Sequence, residues 1–195
     1  MIVNNFIGHL KTVLTHKYYV FQASCKLGIP LRGALHDLSK FSPTEFFESV
    51  KYYSGTRSPI EACKEDKGYS MTWFHHRGRN KHHWEYWVDN FEKGMTSTQI
   101  PYKYSIEMLC DFIGAGKAYE KEKWSFHSLL MWWLNKRTKV VMHPVNWYFI
   151  NSCLSLMEKE NKFLTKKQTK EIYEYWNDKF RKGEIHGVYN SKIKY

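Results

Sequence analysis

Early in the chain stands His36-Asp37-Leu38-Ser39-Lys40-Phe41, in which an imidazole and a carboxylate are adjacent and a lysine follows three residues on. Upstream, His16 falls in line with Val13 and Val20, beside an apolar stripe formed by Phe6, Leu10, Val13, Leu14, Phe21 and Leu27. That three-to-four spacing predicts a helix over roughly residues 4–27. Downstream, Asp111 is flanked by Leu109, Cys110, Phe112 and Ile113. An ionised carboxylate in so apolar a helical segment is costly unless a cation or a set of donors compensates it. Imidazole nitrogen together with carboxylate oxygen suits zinc, iron, manganese or nickel. A helical bundle can hold such ligands by pointing them inward from several helices. The carboxylate beside His36 is placed to bridge two ions.

Between these anchors lies a second concentration of histidine: His75, His76, His82 and His83, with Arg77, Arg79 and Lys81 among them. On a helix, neighbours such as His75 and His76 point about 100° apart, so one can face a metal while the other packs. The order His16, then His36-Asp37, then the distal Asp111 resembles the four-ligand motif of the HD-domain superfamily, and the HDLSKF segment resembles its usual form through Lys40. The resemblance covers residues 10–120 and implies an all-α, HD-domain-like helical bundle. It further implies a metal site of one or two divalent ions, held by His16, His36, Asp37, His76, His82 and Asp111. Two-metal members carry two extra histidines between the pair and the last aspartate; His76 with either His82 or His83 fits that description. A Gly-Tyr-Pro sequence is absent, which counts against cyclic dinucleotides as substrate. Within the superfamily, His76, Asn80, His82, His83 and Glu85 resemble a group with the pattern H-x-x-x-N-x-H-H-x-E.

The remaining elements read as helices. Ser42-Pro43-Thr44-Glu45 and Ser58-Pro59-Ile60-Glu61 each place Ser at an N-cap, Pro at the first helical position and Glu at the third. They predict helices over 43–53 and 59–74, with 31–40 as a shorter one and 77–81 as a loop. Further helices are expected over 101–119, 124–136, 145–160 and 166–181, with no strand. The Gly114-Ala115-Gly116 trio reads as close helix packing. No repeat or composition break divides the chain, so residues 1–195 form one expected domain, with helices over 124–182 behind the metal-site core.

Composition narrows the classes. At 43% hydrophobic and 17% aromatic the chain is that of a packed globule. Its four cysteines, Cys25, Cys63, Cys110 and Cys153, form no C-x-x-C pair, which argues against a disulfide framework and a zinc ribbon. Asn4, Asn5, His9 and Lys11 interrupt any N-terminal apolar run, and stretches such as Leu129 to Leu134 are too short for a membrane span. A cytoplasmic, membrane-free protein is expected. The net charge of +11 favours anionic partners, but the basic residues are spread along the chain and match no nucleic-acid recognition motif.

These features and the resemblance together lead to a metal-dependent phosphohydrolase acting on a nucleotide or other small phosphorylated compound. Asp37 and Lys40 would act at the metals, and His83 would protonate the leaving oxygen. Arg77, Arg79 and Lys81 would clamp a phosphate. The HD-fold non-haem di-iron oxygenases have a similar ligand set of four His and two Asp, and supply the alternative. A non-enzymatic, metal-stabilised binding protein is the third. His9, His127, His143 and His186 carry no partner pattern and read as ordinary residues.

Overall fold

The computed structural model describes residues 2–91 and 94–187. It is an all-α helical bundle with one small hairpin. The helices are α1 (Ile2–Lys26), α2 (Pro30–Leu35), α3 (Pro43–Tyr52), α4 (Pro59–Lys67) and α5 (Met71–Arg79), then α6 (Tyr102–Glu120), α7 (Phe126–Lys136), α8 (Pro144–Glu160) and α9 (Lys166–Arg181). Strands β1 (Val88–Phe91) and β2 (Gly94–Ser97) pair antiparallel, with Val88 opposite Ser97. At four residues each, the strands are too short to leave an alternation legible in sequence.

Helices α1 and α6 form the central pair. They approach closely because Gly114 lacks a side chain: a Cβ there would lie 2.4 Å from Val20 Cγ2 and 2.8 Å from Val20 N. A similar notch joins α2 to α1, where a Cβ on Gly33 would meet Ser24 Cβ at 2.4 Å. Leu109, Ile113, Trp133, Phe149 and Ile150 are fully buried and bind α6, α7 and α8 into one apolar core. Asn146 on α8 is buried within it. Its amide side chain accepts from the Ile100 N–H at 2.9 Å and donates to Ile100 O at 2.8 Å. Both polar groups of Ile100 are thereby satisfied inside the core, and the start of α6 is fixed.

Three boundaries depart from expectation. The helix expected over 59–74 is two helices. Gly68 takes the left-handed conformation (φ 80°) and ends α4, and Ser70 then caps α5 by accepting from Trp73 N. The loop expected over 77–81 is partly the last turn of α5, because Asn80 returns its side-chain amide to His76 O at 2.8 Å. The helix expected over 31–40 stops at Leu35. His36 is extended and Asp37 is left-handed (φ 54°, ψ 32°), before a 3-10 turn over Leu38–Phe41. Lys17 Nζ holds the end of α2 ahead of this turn by donating to Ala34 O at 2.8 Å and to His36 O at 2.7 Å.

Candidate metal centre

The break at Asp37 aims its carboxylate into the space between α1, α5 and α6. Its two oxygens face two different sets of imidazoles. Oδ2 lies 3.5 Å from His16 Nε2 and 3.2 Å from His36 Nε2. Oδ1 lies 3.4 Å from both His76 Nε2 and His82 Nε2. Asp111 completes the first set, with Oδ1 at 3.1 Å from His16 Nε2 and 3.3 Å from His36 Nε2. The ligand atoms of His16, His36, Asp37 and Asp111 all lie within 4.8 Å of one another, as do those of Asp37, His76, His82 and His83. Such His/Asp clusters can hold a metal ion, and Asp37 is common to both.

Two buried glutamates orient the rings. Glu107 Oε1 sits 3.3 Å from His36 Nδ1 and 3.5 Å from His82 Nδ1. Arg32 Nε donates to its other oxygen at 2.9 Å. Glu45 Oε2 lies 2.7 Å from His76 Nδ1, and its Oε1 takes His75 Nδ1 at 2.5 Å. The carboxylates accept from Nδ1–H, which leaves Nε2 of His36, His76 and His82 directed at Asp37, where each can offer its lone pair to a cation in place of a proton. Of the adjacent pair, His76 therefore faces the centre and His75 stands behind it.

The electrostatics follow from this crowding. Burial opposes ionisation of Asp37, but His36, Lys40 and His76 hold its carboxyl well below the usual carboxylate range. Asp111, also opposed by burial, is held low by His16 and His36. His36 is pushed well above the usual imidazole value: burial works against its charge, yet Asp37, Asp111 and Glu107 outweigh it. His83 goes the other way, kept well below the usual value by burial and by His82 and His76. Lys40 Nζ lies 2.6 Å from Asp37 Oδ2.

The donor set contains unmet groups of the kind a cation takes up. His16 Nε2, His82 Nε2 and both Asp37 oxygens are buried without an aligned hydrogen bond, although Lys40 stands near one of those oxygens. Four such atoms converging on one place would be costly without a partner. A divalent ion, which takes imidazole nitrogen and carboxylate oxygen together, satisfies them.

Of the residues singled out in the sequence, His16, His36, Asp37, His76, His82 and Asp111 converge here, with His83 Nε2 only 2.8 Å from His76 Nε2. Lys40 lines a cavity of about 190 Å³ beside the centre. Arg77, Arg79 and Lys81 do not join these residues. Arg77 lies over the Phe74 ring at 4.8 Å, Lys81 over Tyr86 at 5.5 Å, and none of the three lines either cavity that meets the centre. Sequence reasoning missed Glu45 and Glu107. The signal for Glu107 was present: it precedes Asp111 by one helical turn in the same apolar segment, SIEMLCDFI.

The model of one protein family, described as a family of unknown function (DUF5662), matches residues 5–156, a span that contains every residue of the clusters. No curated protein and no solved structure matches the chain. No helix among the described residues is long and apolar enough to cross a membrane.

Proposed function

Because the chain belongs to the family of unknown function DUF5662, its activity is to be read from its own site, and we propose a metal-dependent phosphohydrolase of HD-like build. Its substrate is a nucleotide or another small phosphorylated compound. The observation that carries this reading is the division of Asp37 between two imidazole sets, one per oxygen. His16, His36, Asp37 and Asp111 would hold one ion, and Asp37, His76 and His82 a second. The donor types suit iron, manganese, nickel or zinc. Such ions supply Lewis acidity toward a phosphoryl group and a lowered pKa for bound water.

The chain's own residues do the rest. Glu45 and Glu107 fix the tautomers of three histidines. Lys40 adds positive charge beside Asp37, where a phosphoryl oxygen would gain negative charge. His83, at the junction of both cavities, is held neutral by burial and by His82 and His76, so it would relay a proton to the departing oxygen and would not carry one at rest. Buried free thiols at Cys63, Cys110 and Cys153 fit a reducing compartment, and we place the protein in the cytoplasm.

The same donors, four imidazoles and two carboxylates around one shared aspartate, also suit a pair of irons, which makes a di-iron oxygenase the runner-up. Elemental analysis of anaerobically purified protein, with phosphate release from nucleoside monophosphates, separates the two. Bound metal with phosphate release that disappears in Asp37→Asn is the expected result. Iron with oxygen uptake and no phosphate release would overturn it.

A further inference from the structure

The larger cavity at the centre lies between α6, α7 and the turn over Trp84–Trp87, and His82, His83 and Asp111 line its inner end. Its volume of about 390 Å³ falls within the roughly 300–1,000 Å³ of small-molecule sites. The walls are aromatic: Trp84, Phe112, Tyr119, Trp132 and Trp133. Arg77, Arg79 and Lys81 do not line the cavity; the lysine that does is Lys136, and the aromatic walls offer their faces to the organic part of a ligand. Besides His82, whose Nε2 belongs to the metal centre, two of its lining residues carry buried polar atoms without hydrogen-bond partners: the acceptor Glu85 Oε2 and the donor Trp133 Nε1. An aromatic slot with one acceptor and one donor unmet is complementary to a flat ring that has both on its edge.

We propose that this cavity binds a flat nitrogen heterocycle bearing an N–H group. The N–H pairs with Glu85, a ring acceptor meets the indole N–H of Trp133, and the ring faces lie against the aromatic side chains of α6 and α7. Glu85 thereby sets the ligand's specificity. The inference rests on the phosphohydrolase reading only for the phosphate, which would lie toward the metal ligands; the ring's binding needs no turnover.

The test is a titration of the full chain with adenosine, guanosine, cytidine and ribose, followed by intrinsic tryptophan fluorescence. At least one nucleoside should quench in the millimolar range or below, with ribose silent. Glu85→Ala should weaken that nucleoside at least about fivefold, the loss expected for one hydrogen bond. Trp132→Ala should weaken it as well; its ring is 41% exposed, so truncation leaves the core intact. Circular dichroism checks the fold of both variants. Absence of quenching by all three nucleosides, or equal binding by wild type and both variants, overturns the proposal. If choline binds and the nucleosides do not, the cavity is a cation cage and the proposal also falls. Nucleoside binding without phosphate release from the matching monophosphates would sink the hydrolase and leave the cavity assignment standing. Phosphate release from glucose 6-phosphate without any nucleoside binding would do the reverse.

Discussion

His16 Nε2 on α1 lies 3.1 Å from Asp111 Oδ1 on α6, one helical turn from the point where Gly114 meets Val20. The distance between the two helices is therefore set by a missing side chain, and the site inherits it. Gly114→Ala would force a methyl group against the Val20 backbone, which cannot rotate away. Overpacking of this kind costs about 1–3 kcal/mol. The urea midpoint should fall accordingly, and metal affinity with it. An unchanged midpoint would show that the helices part freely.

Glu45 and Glu107 should matter to metal affinity through the histidines they hold, and Glu107 also forms a group with His36 and His82 that could itself hold an ion. Replacing a carboxylate that holds a ligand histidine weakens metal binding about 10–100-fold. Glu45→Gln and Glu107→Gln are each expected to show this in a competition titration with a chelator. Affinity equal to wild type in both would mean that the imidazoles orient themselves.

Loss of metal should be complete where the ligands themselves change. Neither His36→Ala nor Asp37→Asn should retain stoichiometric metal after dialysis. His186→Ala should retain it fully, since His186 is exposed and lies outside the clusters. Full stoichiometry in Asp37→Asn would show that the two oxygens of Asp37 are not what joins the imidazole sets.

His9 predicts a pH dependence of stability. It is packed between Phe46 and Tyr53, with ring centroids at 5.1 and 5.9 Å. Burial, aided by Lys40, lowers its pKa to about 4 from the usual 6.5. Between those values the unfolded chain binds a proton at this position and the folded chain does not. Its contribution is thus intact above pH 6.5 and is lost as the pH falls toward 4. In His9→Phe, chemical denaturation across pH 6.5 to 4 should show a shallower decline than in wild type. Parallel curves would remove His9 from the account.

The helices were legible where the chain carries its own punctuation. Ser42-Pro43 opens α3 as its residues predict, with Ser42 Oγ accepting from Glu45 N. Gly68 and Ser70 carried the same kind of signal for the break between α4 and α5, but the apolar spacing across them hid it. At the site, paired side chains of matched chemistry made His36-Asp37 and Asp111 visible. Glu45 stayed hidden because an acidic residue three places after an N-cap already has a local explanation, and nothing in sequence tells that its carboxylate turns inward to His75 and His76. The reading of Arg77, Arg79 and Lys81 as a phosphate clamp took nearness in sequence for nearness in space. The helix α5 continues to Arg79, and none of the three side chains lines either cavity.

The left-handed backbone at Asp37 restricts what this position accepts. Glycine, asparagine and aspartate enter that conformation readily, whereas most side chains crowd their own carbonyl there. Only aspartate and glutamate bring a permanent negative charge. A single amino acid belongs to both groups, so exchanging it sacrifices either the bend of the chain or the anion at its apex. Asparagine keeps the bend and glutamate keeps the anion. Comparing those two replacements would separate the shape of residue 37 from its charge.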